Sequence, residues 1–205
     1  MRKPFRLLIA VPTTGYMHAD FVESLVKLTN HLTREGIHHE VDILPGTLVF
    51  MARNKQASKV INGDYTHLLF IDSDMVFDES IVETLMFCGK DFVCGAFQSR
   101  RPPYGSCVFS SLSPLVKVTE YGNTPFRVAG CGMACTMISR EILREVQEKY
   151  GNCFDPERVE GVLFGEDLAF CRRVNLIGRE MWCDPTARVG HISQKQIWPG
   201  EETAG

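Results

Sequence analysis

The stretch from 66 to 77, THLLFIDSDMVF, is the feature that most constrains how this chain can fold. An apolar run of strand length, Leu68 to Ile71, ends there in two carboxylates, Asp72 and Asp74. A strand that is apolar at every position suits a parallel sheet with helices on both faces, and such sheets bind ligands beyond the carboxyl ends of their strands. Because alternate residues of a strand point the same way, we expect Asp72 and Asp74 to face one ligand together.

Strand-like and helix-like segments alternate along the chain, which predicts an α/β fold with a parallel sheet. A break at 98–126, rich in proline, glycine and serine, predicts an excursion from that sheet. Asp20 and Asp78 are predicted helix N-caps. The predicted strands or extended segments are 6–11, 40–44, 66–72, 91–97, 127–139 and 181–192, and the predicted helices are 19–35, 49–62, 79–89, 140–150 and 165–176.

The length of 205 residues favours one domain with an ordinary core. We expect this domain to span 1–193, and the polar segment 194–205 to form a mobile tail. A net charge of −3, with acidic and basic residues mixed along the chain, argues against nucleic acid or an anionic membrane as the main partner. No run approaches the roughly 18 apolar residues of a membrane-spanning helix. Eight cysteines without a Cys-x-x-Cys pair fit reduced thiols, so we expect a cytoplasmic location.

Two later segments place acidic and imidazole side chains where chemistry is expected. Glu166 and Asp167 follow Gly165 at the start of a predicted helix, although acids there also interact favourably with the helix dipole. His191 ends the last predicted strand, although a lone histidine is often structural. Neutral imidazole and carboxylate together suit Mn²⁺, and a strand returning to the sheet would bring His191 beside Asp74.

In this order the motifs resemble those of the GT-A glycosyltransferases, in particular the family 2-like enzymes. The resemblance covers about 5–193 and rests on the Val-Pro strand end at 10–15, the Asp-x-Asp motif at 72–74, the Glu-Asp pair at 166–167 and the histidine at 189–191. It implies a single GT-A domain, Rossmann-like, with a mixed, mostly parallel central sheet. It also implies a glycosyltransferase of the hexosyltransferase type, which moves a sugar from a nucleotide-diphosphate sugar, foremost a UDP-sugar, to a hydroxyl of a glycan or other acceptor.

The resemblance also implies roles for single residues. Asp74 and His191 are expected to hold Mn²⁺ or Mg²⁺, with Asp72 beside them as a further ligand or as a contact to the ribose or donor sugar. Asp167 is expected to be the catalytic base of an inverting reaction, with Glu166 binding the acceptor; a retaining enzyme needs neither acid as a base. The residues expected to contact the nucleotide are Pro12, Thr13, Thr14, Gly15, Arg53, Asn54, Asp72, Ser73 and Asp74.

Other functions fit part of the pattern. The segment 70–76 matches the hydrophobic-Asp-x-Asp-x-Val motif of haloacid dehalogenase-like phosphatases, in which Asp72 would be the phosphorylated nucleophile. Those enzymes carry the motif on their first strand, whereas two strand–helix units precede it here. A nucleotidyltransferase would need a glycine-rich first loop, for which 13–15 is too short. A non-catalytic nucleotide-sugar binding module would use the same binding residues.

Overall fold

A computed structural model describes residues 4–46 and 48–193, so the predicted mobile tail at 194–205 lies outside the described residues. Within the described ranges the chain forms five helices and thirteen strands. The helices are α1 (Ala19–Arg34), α2 (Val49–Asn62), α3 (Ile81–Phe87), α4 (Arg140–Tyr150) and α5 (Glu166–Leu176). The strands are β1 (Arg6–Thr13), β2 (His38–Pro45), β3 (His67–Ile71), β4 (Met75–Phe77), β5 (Phe92–Ala96), β6 (Val108–Leu112), β7 (Leu115–Lys117), β8 (Phe126–Val128), β9 (Gly130–Cys131), β10 (Cys135–Ser139), β11 (Glu157–Val159), β12 (Val162–Phe164) and β13 (Met181–His191).

The central sheet is mixed and mostly parallel, as predicted. Its strand order is β2-β1-β3-β10-β5-β13-β4, and β8 also pairs with β13. β1, β2, β3, β5 and β13 share one direction, because β1 pairs in parallel with β2 and β3, β13 pairs in parallel with β5, and β10 runs against both β3 and β5. β4 and β8 run the opposite way. The carboxyl ends of β1, β3, β5 and β13 therefore lie at one edge of the sheet.

The apolar run of β3 is buried on both faces, as its pattern predicts. Leu68 and Phe70 pack in a core that includes α2, α4 and α5, whereas Leu69 and Ile71 pack in a second core that includes α1 and α3. Successive side chains of a strand point to opposite faces. One continuous apolar segment thus serves both cores, and its carboxyl end is fixed from two sides.

The predicted N-caps of α1 and α3 are wrong by two residues each. His18 occupies the N-cap of α1, and Asp20 lies inside the first turn. Ser80 occupies the N-cap of α3. Asp78 instead closes the turn before α3, where its Oδ1 accepts hydrogen bonds from the backbone N–H and the hydroxyl of Ser80 at 2.9 and 2.6 Å.

The break at 98–126 leaves the central sheet, as predicted. A loop at 97–105 follows the carboxyl end of β5, and β6 then pairs with β7 and β9 in a small separate sheet. Further along, β11 and β12 form a hairpin that leads directly into α5. In the part of the chain that the structure describes, no helix has the length and apolar character needed to cross a membrane.

Candidate active site

Asp72, Ser73 and Asp74 form the turn that joins β3 to β4. The backbone N–H of Asp72 donates to the carbonyl of Ala134, just before β10, and the N–H of Met75 donates back to the carbonyl of Asp72. All three turn residues line one cavity of about 730 Å³ at the carboxyl edge of the sheet. Asp72 and Asp74 lie in a turn and not in a strand, so their side chains do not simply point the same way. Both residues line this cavity, but their carboxylates have different partners.

Asp74 meets His191 and Arg100, which come from the ends of two other strands. The imidazole Nε2 of His191 lies 3.2 Å from Oδ2 of Asp74, so the predicted approach of these residues is confirmed. The guanidinium of Arg100, in the loop after β5, donates to the same Oδ2 at 2.5 Å. Burial opposes ionisation of Asp74, but the hydrogen bond and charge of His191 and the charge of Arg100 lower the pKa of Asp74 below its usual range.

The imidazole of His191 is oriented by a backbone carbonyl. Its Nδ1 lies 2.9 Å from the carbonyl oxygen of Gln98, which can only accept, so Nδ1 carries a proton. In the neutral ring Nε2 then presents a lone pair toward Asp74. The hydrogen bond with Asp74 raises the pKa of His191, because the carboxylate favours a charged ring; burial and the charge of Arg100 oppose this rise.

This arrangement fits a divalent cation. Histidine ligands of metals usually donate their other ring N–H to a carbonyl or carboxylate, as His191 does to Gln98. The carboxylate of Asp74 and the imidazole of His191 would hold such an ion together. No group of three histidine, cysteine or acidic residues suited to an ion occurs within 4–46 and 48–193. Asp72 does not form a three-residue group with Asp74 and His191. Substrate and water would therefore supply the remaining ligands of an ion held by Asp74 and His191.

Asp72 is paired with Arg53, a side chain with only 2% of its surface exposed. The Nη2 of Arg53 donates to Oδ1 of Asp72 at 2.9 Å, and its Nε lies 3.6 Å from Oε1 of Glu166. The guanidinium carbon also lies 4.9 Å from the ring centre of Phe70. Arg53 therefore ties the Asp-x-Asp turn to the start of α5. It acts here as a buried bridge between two acids, and its Nη1 has no hydrogen-bond partner among the described residues.

Asp167 lies in the first turn of α5, beside the glycines that precede β10. Its Oδ1 accepts a hydrogen bond from the N–H of Leu168 at 2.7 Å. Its Oδ2 faces Gly132, where an added Cβ would lie 3.7 Å away. Burial raises the pKa of the Asp167 carboxyl to about 6, and the negative charge of Glu166 adds to the rise. A carboxylate with such a pKa, and with one oxygen free of hydrogen bonds from the described residues, is suited to accept a proton near neutral pH.

The end of β1 forms the opposite wall of the cavity. Pro12, Thr13 and Thr14 line it, and the Thr13 hydroxyl donates to the carbonyl of Tyr16 at 2.9 Å, which closes the turn. Gly15 has φ of +117°, a conformation that other residues rarely adopt, so it shapes the turn without lining the cavity.

Asn54 does not reach this cavity. Its side-chain NH₂ donates to Asp155 at 2.7 Å, and its carbonyl accepts from the N–H of Phe154 at 2.8 Å. With both ends of the amide engaged, Asn54 anchors the segment before β11. Of the predicted nucleotide contacts, Gly15, Arg53 and Asn54 do not line the cavity.

Sequence reasoning missed several cavity residues. Arg100 follows the carboxyl end of β5, so the rule that singled out Asp72 would also have found it. The remaining missed residues lie in the turn before α1 and at the start of α2, where no sequence motif marks them: Tyr16, Met17, His18, Leu48, Val49 and Ala52.

Comparisons with known proteins show similarity of fold. No model of a known protein family matches the sequence, and no curated protein matches it. The structure of A197 from STIV is similar with a TM-score of 0.56 and 19% identity, covering 97% of this chain and 100% of A197. The structure of S. aureus TarS 1-349 in complex with UDP-GlcNAc is similar with a TM-score of 0.52 and 14% identity, covering 95% of this chain and 60% of the TarS chain. At these identities the similarities establish the α/β fold alone.

Proposed function

We propose that this protein transfers a sugar from a nucleotide-diphosphate sugar, foremost a UDP-sugar, to a hydroxyl acceptor. The observation that carries the proposal is the meeting of Asp74 and His191, 3.2 Å apart, beside the cavity at the carboxyl edge of the sheet. Residues 117 positions apart in the chain supply a carboxylate and an oriented imidazole there. Cavities of roughly 300–1,000 Å³ are typical for bound small molecules, and this one falls in that range.

A divalent ion, Mn²⁺ or Mg²⁺, would be held by Asp74 and His191, with donor phosphate oxygens and water as the remaining ligands. When bound, it supplies a positive charge that offsets the charge developing on the departing nucleoside diphosphate. Arg100, which now balances Asp74, lines the same cavity and offers a planar fork to a phosphate group. Asp72, held by Arg53, would contact the ribose or the donor sugar.

In an inverting reaction Asp167 would be the base. The acceptor oxygen forms a bond to the anomeric carbon, the bond from that carbon to the diphosphate oxygen breaks, and the hydroxyl proton moves to Oδ2 of Asp167. The raised pKa of Asp167, about 6, leaves the carboxylate mostly ionised at neutral pH while keeping it more basic than an exposed aspartate. Glu166, at the start of the same helix, would bind the acceptor.

TarS, whose structure contains UDP-GlcNAc, makes UDP the first nucleotide to test. The phosphatase alternative is less favoured, because the Asp-x-Asp motif follows the third strand of the chain and Asp72 is engaged by a buried arginine. Hydrolysis of p-nitrophenyl phosphate that depends on Asp72 would restore it.

The proposal is tested by thermal unfolding with UDP, GDP, CDP and dTDP, each with and without Mn²⁺. We expect one nucleotide, foremost UDP, to raise the melting temperature only when the metal is present. Incubation with the corresponding nucleotide sugar should then release the nucleoside diphosphate. If no nucleotide stabilises the protein in either condition, the proposal is wrong; if one binds but no sugar is transferred or hydrolysed, the protein is a binding module.

A further inference from the structure

A second cavity, of about 510 Å³, lies on the other side of Arg100 and His191. It is formed by the loop after β5, the segment 121–123 and the last part of β13. Arg100 lines both cavities, and His191 lines the second, so the Asp74–Arg100–His191 cluster is the wall between them. Nothing in the sugar-donor proposal uses this second cavity.

The ionisable side chains of Arg and His that line this cavity can carry positive charge, and no acidic residue lines it. Its lining includes Arg100, Arg188 and His191 but no aspartate or glutamate. Arg188 is exposed, and its guanidinium forms no ion pair or hydrogen bond with any residue in the described part of the chain. Most other arginines there have an acidic or carbonyl partner. Arg100 and His191 already engage the Asp74 carboxylate behind them, whereas Arg188 has no such partner. An unpaired guanidinium that lines a concave surface favours an oxyanion as its ligand.

Arg188 is placed in this wall by a bulge in β13. The pairing of β13 with β5 shifts register between Asp184 and Arg188, where Oδ1 of Asp184 accepts from the N–H of Thr186 at 2.9 Å. The bulge comes so close to β5 that a Cβ on Gly95 would lie 2.5 Å from the carbonyl oxygen of Ala187. Bulges of this kind re-aim side chains beside functional sites.

The cavity also has aromatic lining residues, and one of them lies near Asp167. Tyr104 and Tyr121 line it, and aromatic faces of this kind pack against the apolar faces of sugar rings or other flat groups. Phe97, another lining residue, lies 3.1 Å from the position of a Cβ on Gly132, and Oδ2 of Asp167 lies 3.7 Å from the same position. Because Gly132 has no side chain, Phe97 and Asp167 both fit beside this one residue, which puts a wall residue of the cavity near the proposed base.

From this arrangement we infer that the second cavity holds the acceptor, and that the acceptor carries an anionic group, a phosphate or a carboxylate, bound by Arg188. The inference rests on the proposed function and extends it by naming the acceptor class. The anionic group lies against Arg188, and the acceptor hydroxyl lies at the Phe97 end of the cavity, the end nearest Asp167. The donor nucleotide then occupies the cavity at Asp72–Asp74, on the far side of Arg100.

The test is an NMR titration of the ¹⁵N-labelled protein with inorganic phosphate and, separately, with acetate, both free and saturated with UDP and Mg²⁺. We expect one of these anions to shift the amide signals of 98–104 and 186–191 and to bind the free and UDP-saturated protein alike. Arg188→Met should weaken this binding by about tenfold or more, the loss typical of a charge-assisted hydrogen-bonded pair. Arg144→Met is the matched control, because Arg144 is an exposed arginine on α4 that lines neither cavity.

Three results would overturn the inference: neither anion binds, Arg188→Met binds as tightly as wild type, or UDP displaces the anion. Displacement by UDP would assign the second cavity to the donor diphosphate. This comparison uses the wild-type protein, so it decides the matter even if Arg188→Met does not fold. A failure of the proposed function shows separately as a failure of UDP to bind, because the anion titration of the free protein requires no nucleotide.

Discussion

Arg53 is a charged residue removed from water, and its neighbours explain why the fold tolerates it. Its guanidinium lies between Asp72 and Glu166, whose side chains are 29% and 20% exposed, and over the ring of Phe70. A buried charge is costly unless it is paired and hydrogen-bonded. Arg53 thus has a stability role and a positioning role, because it holds the acid of one strand end beside the acid of a distant helix.

Arg53→Leu should lower the free energy of unfolding by about 1–3 kcal/mol at pH 7, because it leaves two neighbouring carboxylates without their cation. The loss is below that for a fully buried pair, since both acids keep contact with water. Urea unfolding measures it, with Arg144→Leu as the surface control. A loss no larger than that of Arg144→Leu would mean that the two ion pairs of Arg53 add nothing to stability.

Asp74→Asn should abolish the Mn²⁺ dependence of UDP binding, because it removes the charged ligand that faces His191. Isothermal titration of UDP with and without Mn²⁺ measures the effect. Asp78→Asn is the control, since Asp78 is an acid four residues away that closes a turn with Ser80. Unchanged metal dependence in the Asp74 variant would move the ion to other residues.

Asp167→Asn should stabilise the folded protein above pH 6 by about 1–3 kcal/mol. An unfolded aspartate ionises near pH 4, whereas burial raises the pKa of the folded carboxyl to about 6. Wild-type stability from this group is therefore fully present below pH 4 and is lost as pH rises through 6. Asparagine carries no charge, so the variant does not lose this stability as the pH rises. The free energies of unfolding of the two proteins should therefore converge near pH 4.

The same substitution separates binding from transfer. If Asp167 is the base, Asp167→Asn should keep metal-dependent UDP binding and lose transfer to the acceptor. The wild-type rate, measured as kcat/KM, should fall below pH 6 as the carboxylate takes up a proton. Normal turnover by the variant would remove Asp167 from the mechanism.

Among the elements, the pair β5 and β13 does most to assemble the site. β5 leads into the loop of Arg100, and β13 carries both Arg188 and His191. The two strands run parallel and contact closely where Gly95 faces Ala187. A strand glycine often marks such a close approach of backbones. The position of both cavities therefore depends on one small residue in the middle of a buried strand.

Gly95→Ala should lower the free energy of unfolding by about 1–3 kcal/mol, because the added methyl group meets backbone that must shift. It should also weaken UDP and anion binding, since β13 carries Arg188 in the second cavity and His191 beside Asp74. Thermal and urea unfolding measure the first effect. Gly122→Ala is the control for the unfolding measurements alone, because no atom lies within 4 Å of its added Cβ but the residue lines the second cavity. Equal stability of the two variants would mean that the strands adjust without strain.

At the scale of the whole molecule, strand direction determines where the chemistry lies. β1, β3, β5 and β13 all end at the same edge, and β10 starts there because it runs the other way. The functional segments near residues 13, 73, 100 and 191 are thus brought together although they are far apart in the chain. A ligand bound at this edge would therefore connect elements from both halves of the protein.

Saturating UDP with Mn²⁺ should therefore stabilise the whole domain and not one segment. At a hundredfold excess over its dissociation constant a ligand adds about 2.7 kcal/mol, which for a domain of this size corresponds to a rise in Tm of roughly 5–10 °C. A single calorimetric transition that shifts as one unit is expected. A split transition, with only part of the heat moving, would contradict coupling across the sheet.

Much of the fold followed from local patterns. The apolar run of 68–71 predicted a strand covered on both faces, and the alternation of segments predicted the helices and the parallel strands, because these depend on which residues can leave water. The N-caps at Asp20 and Asp78 were wrong, since capping depends on the backbone angle at one residue. β4 was not predicted, because three residues carry too little pattern.

The candidate site also has features that the sequence predicted and features that only the tertiary structure revealed. The sequence alone determined that Asp72, Asp74, Glu166, Asp167 and His191 occupy strand ends and a helix start, because chain direction and periodicity are local properties. Only the tertiary structure decided their partners: Arg53 for Asp72, Arg100 for Asp74, and an unpaired Arg188 in a second cavity. Pairing of charges depends on strand order and on how closely backbones approach, and those follow from the packing of residues far apart in the chain.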